Sequence, residues 1–331
     1  MSRHIAAVIL LLAATAVIVL QTDVEEAIGL LGEIEAGWAV AATALFGLSK
    51  VVHGVRWKVL MAPFADAPLG DTCKLFLLGN LVNALLPLRA GDVVRVQIAA
   101  RRLGVPRAQI TSSVFVVETL FDGVALVGLL LGALALSDVP GLTRGLLIGL
   151  AAASVGACVT AALLAPRAEK VGALIGSSSL PGSDRLARFV EGLLDGLRPF
   201  NQPGVLGVGL VLACVGWLIE AGAYALMGEA FGLGLDAPDY LAVMVAANLL
   251  TAVPLTPLGL GVYELGVQEV VQAFGPSSEV ALAYALGSHV LFTLWIVGAG
   301  LIAAWTLPVR AEEVLYLKGE AEAPSSGGDR R

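Results

Sequence analysis

The chain has 331 residues, 57% of them hydrophobic and only 14% charged, with a mean hydropathy of +0.86. Soluble globular proteins run at roughly 45–50% apolar and about 25% charged, so the composition excludes a soluble domain and indicates a polytopic membrane protein. A net charge of −7, without a basic arm or aromatic-basic interleaving, excludes nucleic acid as a partner.

The first apolar run, 5–20, follows Arg3 and His4 as in a signal sequence. No small-x-small site precedes Gln21, so an uncleaved span over 4–24 is predicted. Residues 21–35 carry Asp23, Glu25, Glu26, Glu33 and Glu35 and no base, which places that loop outside. Loops rich in Lys and Arg stay cytoplasmic. Span 37–60 therefore returns inward, ending with Arg56 and Lys58. Two shorter apolar pieces follow, 72–86 and 92–102, divided at Pro87. Beyond Pro87, Arg89, Arg95, Arg101, Arg102 and Arg107 stand against Asp92, so this segment is cytoplasmic too. A stretch that starts and ends inside cannot cross once, and 72–102 is predicted to be a re-entrant hairpin.

Spans 109–136 and 142–165 come next, then a cytoplasmic loop over 166–203 whose 185–198 part suits an interfacial amphipathic helix. Span 204–232 exits to Asp236 and Asp239, and a second short pair, 240–253 with 261–274, starts and ends outside. The last span, 279–307, returns to a cytoplasmic tail with Arg310 and Lys318, and the Ser/Gly/Pro-rich, charged stretch at its end reads as disordered. The predicted fold is all-α: one transmembrane domain over 1–310, followed by the tail 311–331. It has about six full spans, two re-entrant hairpins and both termini cytoplasmic.

Two stretches resemble each other. Asn80-Leu81-Val82-Asn83-Ala84-Leu85-Leu86-Pro87 ends at Gly91, and Asn248-Leu249-Leu250-Thr251-Ala252-Val253-Pro254 ends at Gly259, with the same Asn-to-Gly spacing. They belong to two predicted repeats, 37–136 and 204–307, entered from opposite faces. Inverted repeats with broken helices mark proteins that move a substrate across a bilayer. Broken helix ends at mid-membrane need a protein or polar cavity around them, which predicts a central site. Gly128-x-x-x-Gly132 and Gly145-x-x-x-Gly149 read as helix-packing motifs. Cys73, Cys158 and Cys214 lack metal spacing and read as small buried core residues, so neither metal nor cofactor is expected.

Ionisable groups inside a membrane need a reason, because each costs about 2.5–3.5 kcal/mol at a helix centre on insertion scales. Lys50, His53 and Arg56 lie near one face of the second span. Arg56 suits snorkelling with Lys58, whereas Lys50 lies deeper and could meet a phosphate. Arg89 and Arg95 could clamp an anionic head group with Asp92 orienting one of them, or could form a basic loop that enforces topology. Glu118 and Asp122 share a face and need cations, for which Arg89 and Arg95 are nearest in sequence. Glu220 and Glu264 have no basic neighbour in sequence. Asn80, Asn83, Asn248 and Thr251 could cap the broken helices or touch a ligand. His289 reads as a lone packed histidine.

The run Leu86-Pro87-Leu88-Arg89-Ala90-Gly91-Asp92-Val93-Val94-Arg95 resembles a motif of the lysylphosphatidylglycerol synthase transmembrane (flippase-like) family. So do Arg56-Trp57, Glu118-x-x-x-Asp122-Gly123 and Pro257-Leu258-Gly259-Leu260-Gly261-Val262-Tyr263-Glu264, over roughly 5–307 in all. The resemblance implies a bilayer domain that moves a modified lipid between leaflets, or a stand-alone protein near glycolipid, hopanoid or glycan-lipid pathways. Thr119 stands where that family usually has Arg. The chain ends soon after its last predicted span, so no aminoacyl-transferase half and no lysyl-lipid synthesis are expected.

The expected function is a multi-pass cell-membrane transporter of a phospholipid or lipid-linked head group, not an enzyme. Arg89, Arg95 and Lys50 would grip the anion while Glu118, Asp122, Glu220 and Glu264 balance charge or meet an amine. The alternatives are a membrane-embedded transferase using Glu118 and Asp122 with His53, an accessory scaffold of a biosynthetic complex, or a transporter of a small soluble ligand. A homo-oligomer or a biosynthetic enzyme partner fits these readings.

Overall fold

The structure, a computed structural model, describes residues 22–86, 89–136, 202–252 and 256–307, with single positions among 15–20, 145–160 and 196–197. Most of the expected spans 4–24 and 142–165, the 166–203 loop, the 311–331 tail, Pro87 and Pro254 lie outside the described residues. Every described element is helical, in agreement with the expected all-α class.

A short helix, α1 (Val24–Leu30), begins at Asp23, whose side chain accepts from the Glu26 amide. It leads into α2 (Ala36–Met61), a first long helix. A helix pair follows, α3 (Leu69–Leu85) and α4 (Ala90–Leu103). Next come α5 (Arg107–Ser112), a π-helical turn (Ser113–Val117) and α6 (Glu118–Leu136). The second half repeats the order with α7 (Pro203–Ala230), the pair α8 (Ala237–Ala252) and α9 (Val262–Ala273), and α10 (Ser278–Thr306). A 3₁₀ turn, Pro257–Gly259, lies within the second pair.

Among the described residues, four helices are long and apolar enough to cross a membrane: Ala36–Met61, Arg107–Ala133, Pro203–Ala230 and Ser278–Thr306. Their outward faces carry Val40, Leu48 and Val51, then Val208, Val211 and Leu218, then Leu294, Leu301 and Ile302, all exposed and apolar. That is the surface a lipid solvent demands, since their backbone polar groups are already paired within each helix. The arms of the two pairs have 17, 14, 16 and 12 residues, short of the roughly 20 that a helix needs to cross.

Helices α2 and α7 pack along their length and run antiparallel. The Glu35 amide donates to the Ala230 carbonyl at one end (3.1 Å), Lys50 meets Glu220 in the middle (2.7 Å), and Gly209 packs against Leu60 at the other end. The short link 62–68, held where Lys58 Nζ donates to the Ala67 carbonyl (2.6 Å), starts α3 beside the end of α2. Its partner α4 folds back along it, with Gly79 against Gly91 and Arg95. The open end of the first pair therefore lies where α2 finishes. The second pair opens where α7 finishes and α2 begins, at the opposite end of the bundle. It too is a folded hairpin, with Leu250 against Gly266. The packing is reciprocal, since α3 lies on α10 and α8 on α6.

A Cβ at Gly128 or Gly132 would meet no described atom within 4 Å, and Gly149 with most of 142–165 lies outside the described residues. Close approach occurs at Gly216, where the His53 ring fills the space a side chain would take. Cys73 and Cys214 are half-buried and free, not fully buried; Cys158 is outside the described residues.

Candidate functional site

The tips of the two hairpins converge on a cavity of about 540 Å³. Leu86 and Arg89 reach it from the first break, and Thr256, Leu258 and Gly259 from the second. Arg89 (φ 55) and Leu258 (φ 58) are the non-glycine residues with positive φ among those described, one at each break. Left-handed backbone at a branched or long side chain costs about 1–2 kcal/mol and clusters at functional sites. The two asparagines of the repeated sequence also act alike: Asn80 donates to the Phe76 carbonyl (3.1 Å) and Asn248 to the Met244 carbonyl (3.0 Å).

The polar wall is built mainly from α2, α4 and α6. The π-helical turn ends at Glu118, and such turns re-aim the side chains that follow them. Glu118 meets Arg95 at 2.5 Å, while Asp122 is paired bidentately with Arg56, one arm at 3.0 Å. Trp217 Nε1 also donates to Asp122 (2.9 Å). Arg95 lies between aromatic faces, its guanidinium carbon 4.5 Å from the Trp57 ring centre and 5.1 Å from that of Phe76. The Arg56-Trp57 pair thus serves both ion pairs, Arg56 by its charge and Trp57 by its ring. Asp92 takes Arg89 (2.8 Å) and Arg95 (3.4 Å) together, so it orients both arginines instead of one. Asn83 accepts from the Gly91 amide (2.8 Å) and donates to Asp92 (3.3 Å), capping α4 from across the hairpin.

Opposite this cluster, Glu220 is fully buried and takes Ser49 (2.9 Å), Lys50 (2.7 Å) and Asn248 (3.0 Å). The Lys50 ammonium also lies 4.4 Å from the centre of the Phe46 ring. Lys50 and Glu220 thus join the first half of the chain to the second. Thr251 lines the cavity with its hydroxyl returned to the Ala247 carbonyl (2.9 Å). Glu264 does not line the cavity: one oxygen accepts from the Gly261 amide (2.7 Å) and the other meets His289 (2.6 Å).

Twelve of the sequence-derived candidates come together here: Lys50, Arg56, Asn80, Asn83, Arg89, Asp92, Arg95, Glu118, Asp122, Glu220, Asn248 and Thr251. Arg56 is 1% exposed, which overturns the snorkelling alternative, because its carboxylate partner lies inside the bundle. Glu220 and Glu264 have partners distant in sequence. Residues missed as contributors are Ser49, Trp217 and His289. Trp217 lies one turn before Glu220, on the same face. His289 is a polar group inside a span, and that demands a partner.

The lining charges balance, with Lys50, Arg56, Arg89 and Arg95 against Asp92, Glu118, Asp122 and Glu220. Three buried nitrogens of cavity-lining residues lack a hydrogen-bond partner among the described residues: His53 Nε2, Arg56 Nε and Arg95 Nε. Unpaired buried polar groups are rare and mark a place for water or ligand. Among the described residues no three His, Cys, Asp or Glu side chains gather to hold a metal ion.

The chain is 26% identical over 325 residues to the glycosyltransferase AglD of Haloferax volcanii, across 86% of this chain and 51% of that protein. It therefore spans about half the length of AglD. A UPF0104 membrane protein of Methanocaldococcus jannaschii is 25% identical over 223 residues, 66% of this chain and 91% of that one. Another UPF0104 membrane protein, from Methanothermobacter thermautotrophicus, is 26% identical over 116 residues, 35% of this chain and 34% of that one. The family described as the lysylphosphatidylglycerol synthase TM region matches residues 4–300, and the chain belongs to it.

Proposed function

We propose that the protein is a flippase-like transporter, without catalytic activity of its own, that passes a phospholipid or lipid-linked head group between leaflets of the cell membrane. The observation that carries this reading is the charged cavity enclosed by two broken helix pairs that point at each other from opposite ends of the bundle. In the proposed topology both hairpins are re-entrant, and the halves 37–136 and 204–307 form an inverted repeat. The antiparallel α2 and α7 and the reciprocal packing of α3 and α8 support it.

A cavity of about 540 Å³ lies within the roughly 300–1,000 Å³ range of small-ligand sites and suits a head group, leaving acyl tails outside in lipid. The Arg56 and Arg95 guanidiniums, each with a buried N–H unpaired among the described residues, line the cavity that a phosphate would enter. Arg89, half-exposed at the first break, is the cation that meets the phosphate on entry. With four cations and four carboxylates lining the cavity, a head group of low net charge or mixed sign adds little uncompensated charge to the site.

The test is lipid scrambling in proteoliposomes with fluorescent phosphatidylglycerol, read by quenching of the outer leaflet. Wild type should exceed empty liposomes, and Arg89→Ala should lower the rate about tenfold or more, the effect of losing about 1.4 kcal/mol of binding. Wild-type flux equal to that of empty liposomes overturns the transport reading; an unchanged Arg89→Ala rate removes the clamp. The match to half of a glycosyltransferase favours a lipid-linked sugar as the second candidate cargo, and its selective flux would identify it.

A further inference from the structure

We propose that Glu264 and His289 form a proton-binding site at the break of the second hairpin, and that its occupancy couples a proton to transport. The coupling rests on the function proposed above; the proton site itself rests on geometry alone. His289 Nε2 lies 3.0 Å from the Leu258 carbonyl oxygen, and its Nδ1 lies 2.6 Å from Glu264 Oε1. A carbonyl oxygen only accepts, so Nε2 carries a hydrogen. A neutral imidazole has a single N–H. With that hydrogen directed at Leu258, a neutral ring would aim a bare lone pair at an ionised carboxylate. The contact between His289 and Glu264 needs another proton, whether held as imidazolium with carboxylate or as imidazole with carboxylic acid. The pair therefore binds one proton beyond the neutral-histidine, ionised-glutamate state.

The surroundings fix this geometry. Glu264 Oε2 is held by the Gly261 amide at 2.7 Å, so the carboxyl cannot turn away freely. The Tyr263 ring lies 4.3 Å from the imidazole, but its hydroxyl is directed to Tyr224 (3.2 Å) and Ser288 (3.0 Å). Tyr284, on the same helix as His289, donates to the Tyr224 carbonyl. On α7, the titratable neighbour beyond Tyr224 is Glu220, engaged by Lys50 of α2. The first hairpin presents Arg89 and Asp92 to the same cavity, already paired with each other. From α3 and α8 come Asn80 and Asn248, which do not titrate. His289 itself lines the cavity, which gives the proton its route.

Loss of the proton leaves one N–H for two acceptors. Either the bond to Leu258 or the bond to Glu264 is given up. Leu258 is a left-handed, non-glycine residue at the tip of the hairpin, and the histidine ties that tip to α10. Release on one side frees the tip, and release on the other frees the start of α9. The proton returns to water through the cavity, and no other bond is made or broken.

The experiment uses the full chain in lipid nanodiscs with ¹⁵N-labelled histidine, His289 being assigned by the signal lost in His289→Gln. Infrared spectroscopy, assigned by Glu264→Gln, reads the carboxyl. Near neutral pH we expect either both ring nitrogens protonated or a protonated Glu264. A bare ring nitrogen together with an ionised Glu264 overturns the proton site. In proteoliposomes an imposed pH gradient should change wild-type flux of fluorescent phosphatidylglycerol several-fold, and His289→Gln should abolish that response. A wild-type flux indifferent to the gradient, or a gradient response that survives in His289→Gln, overturns the coupling. Complete absence of wild-type lipid flux would sink the transport reading instead, and the spectra would still decide the proton site.

Discussion

At the residue scale, the tightest constraint is Gly91. A Cβ there would collide with the Gly79 carbonyl oxygen and come within 2.8 Å of both the amide nitrogen and the side-chain oxygen of Asn83. Backbone cannot yield as a flexible side chain can, so Gly91→Ala should destabilise by about 1–3 kcal/mol, the usual cost of overpacking. The reverse substitution, Gly79→Ala, meets Gly91 oxygen at 3.4 Å, an ordinary contact, and should cost much less. Thermal unfolding of both variants in detergent checks the asymmetry; equal losses would mean the hairpin arms separate easily. Gly91 was legible in the sequence as the end of a repeated stretch. The reason for it was not, because the obstacle comes from the other arm. Arg89 illustrates the same limit. Its charge and place after a proline marked it as a candidate, whereas its left-handed backbone is a property of the folded break.

At the element scale, the ion pairs fix how α4 and α2 meet α6. Arg95 and Glu118 are 4% and 7% exposed, so removing one partner leaves a buried charge uncompensated. Arg95→Met should therefore cost about 3–5 kcal/mol, and adding Glu118→Met should recover much of it, since a buried pair replaced by apolar residues is often neutral. A double-mutant cycle by thermal unfolding measures the difference, and additive losses would show that Arg95 acts through its stacking on Trp57 and not through Glu118. The helices themselves were readable from hydropathy. The hairpin arms expected at 72–86 with 92–102, and at 240–253 with 261–274, are observed at 69–85 with 90–103 and 237–252 with 262–273. Partner choice was readable only where sequence distance was short. Arg95 for Glu118 followed from proximity, but Lys50 for Glu220 and His289 for Glu264 depend on packing between distant helices. The π-helical turn before Glu118 had no sequence signature at all.

At the scale of the whole molecule, the decisive question is which end of each hairpin opens to which side. Links 62–68 and 104–106 join the first hairpin to α2 and α5, so its two ends share one face of the bundle. The second hairpin has its ends at Asp236 and Ser277, on the face where α7 finishes. The proposed topology puts the open end of the first hairpin, with Arg101, Arg102 and Arg107, on the cytoplasmic side and that of the second, with Asp236 and Asp239, outside. Single cysteines should therefore label in matched pairs in a background without Cys73, Cys158 and Cys214. Asp66→Cys and Val105→Cys should both react only when a membrane-impermeant maleimide reaches the cytoplasmic face, and Asp236→Cys and Ser277→Cys only from outside. If either pair divides between the two faces, that hairpin crosses the membrane. The cavity would then no longer lie between opposed tips, and alternating access through it would lose its basis. Matched labelling on opposite sides would leave a thin partition at the cavity, held by Lys50–Glu220 between the halves and by His289 at one tip. Charge exchange tests that partition directly: Lys50→Glu with Glu220→Lys should restore folding lost in either single variant, because the attraction between α2 and α7 is the same with its sign reversed.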